Sequence, residues 1–457
     1  MKKLFLFLVV LGGFASFLQA QVVTIPDANF KAYLVNNSNI NTNRDTEIQV
    51  SEATAFAGGM DCSGKNIADL TGIEAFVNIK YLYCSNNQLT ALDVSKNTAL
   101  GGLFCFNNQL TALDVSNNTA LLSFWCYNNQ LTTLDVTKNT ALTFLYCHSN
   151  QLTALDVSKN TALTFLYCDR NQLTALDVRN NIALTLLSCS SNQLTALDVS
   201  NNTALESLYC NENQLTALDV TNNTALRGLY CQSNQLSALD VSKNTALKNL
   251  WCYSNQLNAL DVSKNTALTN LWCYSNQLTA LDVSKNTALT NLYCYSNQLK
   301  ALDVRKNVSL IYLYCYNNQL TALDVSENLG LRYLYCYNNP SLACIQVDDV
   351  STANLHTTSG RWQKDETASY STNCPSAMSI KDITKKQIIA YPNPVKDLLN
   401  FSEEVSNIKI TDISGKVVKQ ISAAGKSINV ANLTNGVYII SAKTKSGKDI
   451  KQKIIKE

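Results

Sequence analysis

Cysteine recurs along the middle of this chain at a constant spacing of 21 residues. The spacing holds without exception through Cys84, Cys105, Cys126, Cys147, Cys168, Cys189, Cys210, Cys231, Cys252, Cys273, Cys294, Cys315 and Cys336. The 21 residues 249–269, NLWCYSNQLNALDVSKNTALT, are nearly identical to the 21 that follow. A fixed period of this length is typical of a chain in which each copy is one structural unit that stacks on the next.

Each copy carries two leucine-containing halves. The first half has the pattern L-x-C-x-x-N-x-L and the second has L-x-V-x-x-N-x-x-L, as in Leu250, Cys252, Asn255, Leu257, Leu260, Val262, Asn265 and Leu268. This pattern and period are those of a leucine-rich-repeat solenoid. We therefore predict a mainly β, right-handed solenoid with parallel strands on two faces, a small helical N-terminal cap and a C-terminal β-sandwich.

The repeated cysteine is predicted to be a buried thiol. Cys252 alternates with Trp251 and Tyr253, so it faces the core if those two rings face solvent. A zinc site is disfavoured because the copies lack paired cysteines or nearby histidines. Disulfides between neighbouring copies are disfavoured because in-register side chains point the same way. Cys62 fits an irregular first coil, and Cys344 and Cys374 remain as a plausible disulfide that closes the solenoid.

Polar residues also form columns. Asn255 and Asn265, with their equivalents, end the two extended segments, where an amide can pair with turn backbone. Asp261 and its equivalents form an outward column on the second face, and Lys264 and several equivalents can offset the repulsion. We expect that second face to be solvated and without a specific role.

The pattern L-x-x-L-x-C-x-x-N-x-L-x-x-L-D-V-x-x-N resembles the cysteine-ladder repeats of internalin-type bacterial adhesins. The resemblance implies the solenoid fold and a binding role. Because one scaffold serves many ligands, it does not identify the ligand.

The two ends of the chain carry export signals. Residues 1–20, MKKLFLFLVVLGGFASFLQA, have the charged start and apolar run of a secretory signal peptide. At the C-terminus, YPNPVKDLLNF, IKITDISGKVVK, LTNGVYIISAKT and KQKIIKE predict short strands. In this order they resemble the sorting domain of type IX secretion substrates, which implies a secreted or cell-surface protein and contact with the type IX machinery. The predicted domains are 1–20 (signal), 21–78 (cap), 79–345 (solenoid), 346–377 (C-terminal cap and linker) and 378–457 (sorting domain).

The N-terminal cap region contains two predicted helices. IPDANFKAYLVNN has Pro26 in its first turn, and SEATAF opens the second helix with Ser51 as a possible cap. Between them, NTNRDTEIQVSE matches a calcium loop at several offsets. Its candidate metal ligands are Asn41, Asn43, Asp45 and Glu52. Asn at position one and Thr46 in place of glycine at position six depart from the motif, so a metal-free polar loop is the alternative.

The candidate ligand-binding residues are outward aromatics of the last five copies. They are Trp251, Tyr253, Trp272, Tyr274, Tyr293, Tyr295, Tyr314, Tyr316, Tyr335 and Tyr337. We expect their rings to project into water and to form a broad apolar surface, which usually marks a binding site. A protein partner, a glycan and a purely structural ladder of rings remain as alternatives.

Composition argues against several other functions. The two histidines, His148 and His356, are far apart, and no nucleophile elbow, phosphate loop or metal-ligand cluster occurs in the repeats. We therefore expect neither an enzyme nor a cofactor, apart from the calcium considered above. A net charge of +2 gives no reason to expect nucleic-acid binding. No later apolar run is long enough for a transmembrane segment.

Overall fold

The computed structural model describes residues 21–374, 390–412, 415–444 and 449–457. The signal peptide expected at residues 1–20 lies outside the described residues.

The N-terminal segment forms two helices, α1 (Ala28–Val35) and α2 (Val50–Ala55). The Asp27 carboxylate caps α1 by accepting hydrogen bonds from the first-turn backbone, and Pro26 precedes that cap. The expectation that Ser51 caps α2 is wrong. The cap is Gln49, because its side chain and that of Glu52 bond reciprocally to each other's backbone as a capping box.

Nineteen strands and one 3₁₀ turn (Ile73–Ala75) follow within residues 59–371. They are β1 (Gly59–Asp61), β2 (Tyr81–Tyr83), β3 (Gly102–Phe104), β4 (Ser123–Trp125), β5 (Phe144–Tyr146), β6 (Phe165–Tyr167), β7 (Leu186–Ser188), β8 (Ser207–Tyr209), β9 (Gly228–Tyr230), β10 (Asn249–Trp251), β11 (Asn270–Trp272), β12 (Asn291–Tyr293), β13 (Leu302–Asp303), β14 (Tyr312–Tyr314), β15 (Leu323–Asp324), β16 (Tyr333–Tyr335), β17 (Cys344–Gln346), β18 (Trp362–Gln363) and β19 (Ser369–Ser371).

Fifteen of these strands form one parallel sheet that runs the length of the solenoid, in the order β1 to β12, β14, β16 and β18. The register is constant, so Leu250 pairs with Leu271 and Trp251 with Trp272. Each residue of one coil therefore lies beside its equivalent in the next. The predicted mainly β, parallel-strand solenoid is confirmed, and its sheet already begins with β1, before residue 79.

The second face is less regular than expected. Its parallel sheet contains only β13, β15, β17 and β19, at the C-terminal end. In the other coils the Leu-Asp-Val segment forms no strand. The Asp261 Oδ1 accepts a hydrogen bond from the Ser263 backbone N–H at 2.9 Å, and this turn ends the segment after a few residues.

The core is a stack of leucine, valine and cysteine layers. All fourteen ladder cysteines, Cys62 included, are free and buried, and Cys252 has no exposed surface. Burial raises the pKa of the Cys105 thiol to about 12. The thiols act as small apolar groups, as predicted.

The two asparagine columns connect successive coils. Asn255 Nδ2 donates to the carbonyls of Cys252 in its own coil (3.2 Å) and Cys231 in the preceding one (3.0 Å). Its Oδ1 accepts from the Leu236 N–H at 2.9 Å. In the second column, Asn265 Nδ2 donates to two carbonyls of the preceding coil. These bonds satisfy buried turn backbone, which confirms the structural role of both columns.

The C-terminal end of the solenoid is closed by β17, β18, β19 and a third helix, α3 (Val350–Thr358). The Asp349 carboxylate caps α3 by accepting from the Thr352 N–H at 2.7 Å. Cys344 and Cys374 are joined by a disulfide, with Cα atoms 5.9 Å apart. This bond ties the segment after β19 back to the last strand pair of the second face.

The C-terminal domain has an antiparallel sheet with its own core. Its strands are β20 (Ala390–Tyr391), β21 (Leu398–Asp412), β22 (Val417–Ile421), β23 (Gly425–Asn429), β24 (Gly436–Thr444) and β25 (Asp449–Lys456). The first half of β21 pairs with β20 and β23, and its second half pairs mainly with β22 and β24. The region expected to be a sandwich is thus an antiparallel sheet of six strands, in which β20, β22, β23 and β24 pair with β21 and β25 pairs with β24.

Candidate binding face

The outward residues of the long sheet form three columns. In the coil of β10 they are Asn249 (first column), Trp251 (second) and Tyr253 (third). From this coil to that of β16 the second and third columns are wholly aromatic. We call these ten side chains the aromatic face: Trp251, Trp272, Tyr293, Tyr314, Tyr335, Tyr253, Tyr274, Tyr295, Tyr316 and Tyr337.

The rings of the aromatic face stack on one another. In the second column, ring centroids of successive coils lie 4.0 to 4.9 Å apart with planes within 19° of parallel. In the third column the separations are 4.2 to 4.7 Å and the planes lie within 11°. Offset stacking at these distances is favourable for aromatic pairs. The constant strand register positions the rings for it.

The expectation that these rings project freely into water needs correction. All ten are half-buried because each ring covers the face of its neighbour. The indole Nε1 atoms of Trp251 and Trp272 are buried and have no hydrogen-bond partner. Burial, together with neighbouring hydroxyls, raises the pKa of Tyr314 to about 12 and also raises that of Tyr274. The face therefore presents ring edges and hydroxyls to solvent.

A glycine marks the N-terminal edge of the aromatic face, and sequence analysis did not single it out. The Tyr230 ring lies across Gly228, where an added Cβ would meet the ring at 2.9 Å. Tyr230 consequently meets Trp251 edge-on, with planes 86° apart. The same arrangement occurs at Gly102, where Phe104 meets Trp125 at 80°. A glycine in the first column, next to an aromatic in the second, is the signal that could have revealed this.

The coils before the aromatic face are more polar. Ser188 Oγ donates to Asp169 Oδ1 at 2.9 Å, and the third column continues through Ser190. Further toward the N-terminus is a second set of rings: Tyr83, Phe104, Trp125, Tyr146, Tyr167, Phe106 and Tyr127. Among the three columns from residue 81 to 337, Asp169 is the only carboxylate and no lysine or arginine occurs. The surface is therefore almost uncharged.

The four candidate calcium ligands lie close together but bond to the protein. Glu52 Oε1 accepts from the backbone N–H groups of Thr42 (2.8 Å) and Asn43 (3.1 Å), and its Oε2 accepts from the Gln49 N–H. Asp45 accepts from the Glu47 N–H and from the Asn43 and Gln49 amides. Asn41 Oδ1 is buried without a partner. Although burial opposes it, these hydrogen bonds lower the pKa of Glu52.

This donor set does not fit a calcium ion in the conformation described. Calcium takes six to eight oxygen ligands, whereas both oxygens of each carboxylate here already accept protein hydrogen bonds. Throughout the described residues, no group of three or more His, Cys, Asp or Glu side chains is placed to hold a metal.

Comparison with known structures identifies the protein family to which this solenoid is related. It matches the functional domain of InlJ from Listeria monocytogenes, which includes a cysteine ladder, with 30% identity and a TM-score of 0.66. The match covers 96% of this chain and 99% of the other. The chain belongs to the internalin family of leucine-rich-repeat proteins. Within internalin J of L. monocytogenes serotype 4b (strain F2365), 53 residues are 40% identical. That stretch is 12% of this chain and only 6% of internalin J. Family membership therefore does not by itself assign the activity of complete internalin J to this protein.

Two structures of lower sequence identity share the fold alone. An internalin (InlF) from L. monocytogenes is 23% identical over 67% of this chain and 93% of its own, with a TM-score of 0.60. YopM, a leucine-rich effector protein from Yersinia pestis, is 22% identical over 75% of this chain and 92% of its own, with a TM-score of 0.53.

The tail of this internalin-family chain belongs to a second, independent family. Residues 389–457 match the secretion system C-terminal sorting domain. The predicted type IX sorting domain is thereby confirmed, and the protein is exported to the cell surface or beyond it. No helix among the described residues is long and apolar enough to cross a bilayer.

Proposed function

We propose that this protein is a secreted or surface-displayed adhesin that binds a protein partner through the aromatic face. The observation that carries the proposal is the uninterrupted pair of aromatic columns from Trp251 to Tyr337 on an almost uncharged surface. Tyrosine and tryptophan give large contact areas with little loss of side-chain entropy, and both residues are enriched at interfaces.

The polar coils argue against a purely structural role for the rings. Strands β7 and β8 keep the common register, with Leu187 opposite Leu208. In these two coils the second column holds Ser188 and Tyr209, and the third holds Ser190 and Asn211. Coil stacking therefore does not require that both columns be aromatic in every coil. Their concentration in the last five coils is better explained by a ligand than by the needs of the scaffold.

The stacking also favours a protein over a glycan. Sugar rings bind aromatic residues by covering an open ring face. Tyr274 is sandwiched between Tyr253 and Tyr295, at 4.2 Å from each, so neither of its faces is open. The ring edges and hydroxyl groups that remain accessible suit peptide backbone and apolar side chains.

A binding role is also more consistent with the geometry than catalysis. His148 stacks on Tyr127 at 4.4 Å, and burial lowers its pKa. His356 stacks on Trp362 at 5.2 Å, at the far end of the solenoid. The aspartates of the second face each cap a turn, as Asp261 does for Ser263. None of these arrangements pairs a nucleophile with a base.

The decisive experiment locates the partner and then weakens its contact. In the full chain, a photo-crosslinking phenylalanine at position 274 or 295 should capture one and the same protein, whereas the same probe at position 144 should not. Affinity for the captured protein should then fall at least about tenfold in a Trp251→Ala, Trp272→Ala variant.

The chain provides a matched control for that variant. Trp125 and Tyr146 are also second-column neighbours and stack at 4.7 Å, and Trp125 Nε1 is likewise buried without a partner. Trp125→Ala, Tyr146→Ala should lose comparable stability and keep the affinity. Equal losses of affinity in both variants would show that the rings only support the scaffold. Capture of a glycan in place of a protein would favour the alternative ligand.

A further inference from the structure

A cleft of about 600 Å³ lies at the C-terminal end of the solenoid, next to the aromatic face. One wall is formed by Tyr312 and Tyr333 of the first column, whose rings stack 4.9 Å apart with planes 2° from parallel. His356 from α3 and Arg361 from the loop after it also line the cleft, and Arg361 lies next to Tyr333 in the strand register. The volume is that of a small-ligand or short-peptide site.

Two arginines line this cleft without a side-chain partner among the described residues. Arg332 and Arg361 both line it, and in the described part of the chain neither guanidinium takes part in an ion pair or a side-chain hydrogen bond. No lining residue is acidic. In contrast, Arg227 occupies the position of Arg332 five coils earlier and pairs with Glu206 at 3.4 Å. Arg332 therefore differs from Arg227 in having no carboxylate beside it in the preceding coil.

The sequence of the cleft departs from the repeat on the apolar side as well. Where most coils have Asn-Thr-Ala-Leu, this coil has Asn328-Leu329-Gly330-Leu331. Leu329 is 76% exposed at the cleft. The cleft therefore has two parts of different chemistry. The two guanidinium groups can bind an anion, and the exposed leucine side chain provides an apolar wall.

We propose that this cleft binds an acidic peptide segment of the protein partner. A carboxylate of that segment lies between Arg332 and Arg361, where a planar guanidinium can bind it in bidentate fashion. An apolar side chain next to the carboxylate packs on Leu329 and the stacked Tyr312 and Tyr333. The inference rests on the proposed function only in taking a protein as the ligand.

Charge complementarity selects this occupant. The cleft contributes cationic groups and no carboxylate, so it matches an acidic segment. The chain's own segment 375–389 carries three lysines and one aspartate, so it does not offer the complementary charge. The aromatic face beside the cleft is neutral, which makes these two arginines the charged anchor of an otherwise uncharged surface.

A peptide array tests the proposal with the full mature chain. The probes are octapeptide pairs that place Asp or Asn, and Glu or Gln, next to Leu or Phe. We expect the carboxylate member of a pair to bind at least about tenfold more tightly than its amide counterpart. Arg332→Gln, Arg361→Gln should abolish that preference. Arg227→Gln, the matched control, should keep it, and melting curves should verify that all variants fold.

Each other outcome has a definite meaning. Equal binding of acid and amide peptides, or a carboxylate preference that survives Arg332→Gln, Arg361→Gln, would overturn the proposal. Binding of polygalacturonate but of no peptide would replace it with an acidic glycan site. Trp251→Ala, Trp272→Ala should retain the carboxylate preference. Failure of the aromatic face to bind a partner is thereby distinguished from failure of the cleft.

Discussion

Trp251 and Trp272, one coil apart, stack with ring centroids 4.0 Å apart and planes 3° from parallel. Trp272 also stacks on Tyr293, at 4.9 Å. Trp272→Ala therefore removes both stacked ring contacts, together with a tilted contact to Tyr253 at 6.2 Å, and uncovers two ring faces. We expect a loss of about 1 to 3 kcal/mol of stability, measured as the shift in the denaturant midpoint. Trp272→Phe should lose less. An unchanged midpoint in the alanine variant would mean that the stack contributes nothing.

The buried thiols should be unreactive until the protein unfolds. Burial raises the pKa of each ladder thiol for which a shift is resolved, for example to about 12 at Cys231, and the thiolate is the nucleophile. Iodoacetamide at pH 8 should label none of the fourteen ladder cysteines in the native protein and all of them in guanidinium chloride. Mass spectrometry of peptides gives the count. Rapid native labelling of mid-ladder cysteines would contradict their burial.

A serine in the ladder should destabilise the protein according to its local acceptors. Cys168 Sγ donates to the Ser188 carbonyl at 3.4 Å, so Cys168→Ser offers its hydroxyl a nearby acceptor. Among the described residues, Cys210 Sγ makes no such bond. Cys210→Ser should therefore lose about 1 to 3 kcal/mol, more than Cys168→Ser. Thermal melts of the two variants provide the comparison.

Stability should fall at alkaline pH. Burial raises the pKa of the Cys189 and Cys273 thiols to about 12, and that of Tyr314 to about 12, above their ordinary values of 9.0 and 10.0. Above pH 9 the unfolded chain loses these protons while the folded chain keeps them. The stabilisation is complete below pH 9 and decreases toward pH 12, by about 1.4 kcal/mol per pH unit for each thiol. Denaturation midpoints measured from pH 7 to 11 test this trend, and a flat profile would contradict it.

One turn position can be improved. The second residue after each ladder cysteine has a positive φ, for example 52° at Ser296 and 54° at Asn317. Asparagine tolerates this conformation better than serine. Asn317 Nδ2 bonds to Ser296 Oγ at 3.3 Å, whereas the Asn338–Asn317 pair bonds at 2.7 Å. Ser296→Asn should stabilise by about 0.5 to 1 kcal/mol. In Ser254→Asn, the equivalent residues of both neighbouring coils are serines, so this variant should gain less stability. Equal gains in the two variants would mean that the backbone preference of asparagine alone is responsible.

Calcium should not stabilise the N-terminal cap. Both Glu52 oxygens are occupied by backbone N–H groups, so Glu52→Gln should destabilise the cap with or without calcium, by about 1 to 3 kcal/mol. Hydrogen bonds lower the pKa of Glu52 against the effect of burial, so its contribution is present above its unfolded pKa and is lost as pH falls. A rise in melting temperature on adding calcium, absent in Glu52→Gln, would restore the calcium-loop interpretation.

Strand positions and core columns could be predicted because a strict period removes the uncertainty in register. One coil such as that of Leu250 and Cys252 specifies all the others. The pairing of Cys344 with Cys374 followed from their position outside the ladder. The extent to which each aromatic ring stacks on the next, and so buries it, could not be predicted. Alternation tells whether Trp251 points in or out, but not how far its neighbour covers it.

Features that depart from the 21-residue period could not be predicted from the sequence either. Arg332 and Arg361 are brought together by the cap after the last repeat, and no periodic pattern relates them. The column of positive-φ residues, two positions after each ladder cysteine, could not be predicted for another reason. Its thirteen members from Asn86 to Asn338 include Arg170, Glu212 and several serines, and none of these thirteen is the glycine that normally signals this conformation. At Gln49, two side chains decide where the helix begins, and reading single cap residues missed the pair.

The asparagine side chains give the solenoid a direction of assembly. Asn255 and Asn265 reach backward, to carbonyls of the coil that precedes them in the chain. A coil emerging from a ribosome or a translocation pore therefore finds its acceptors already in place, so growth can proceed vectorially from the N-terminus. The last coil has no successor to reach back to it. The covalent bond between Cys344 and Cys374 lies at that end, where side-chain amides can no longer hold the stack.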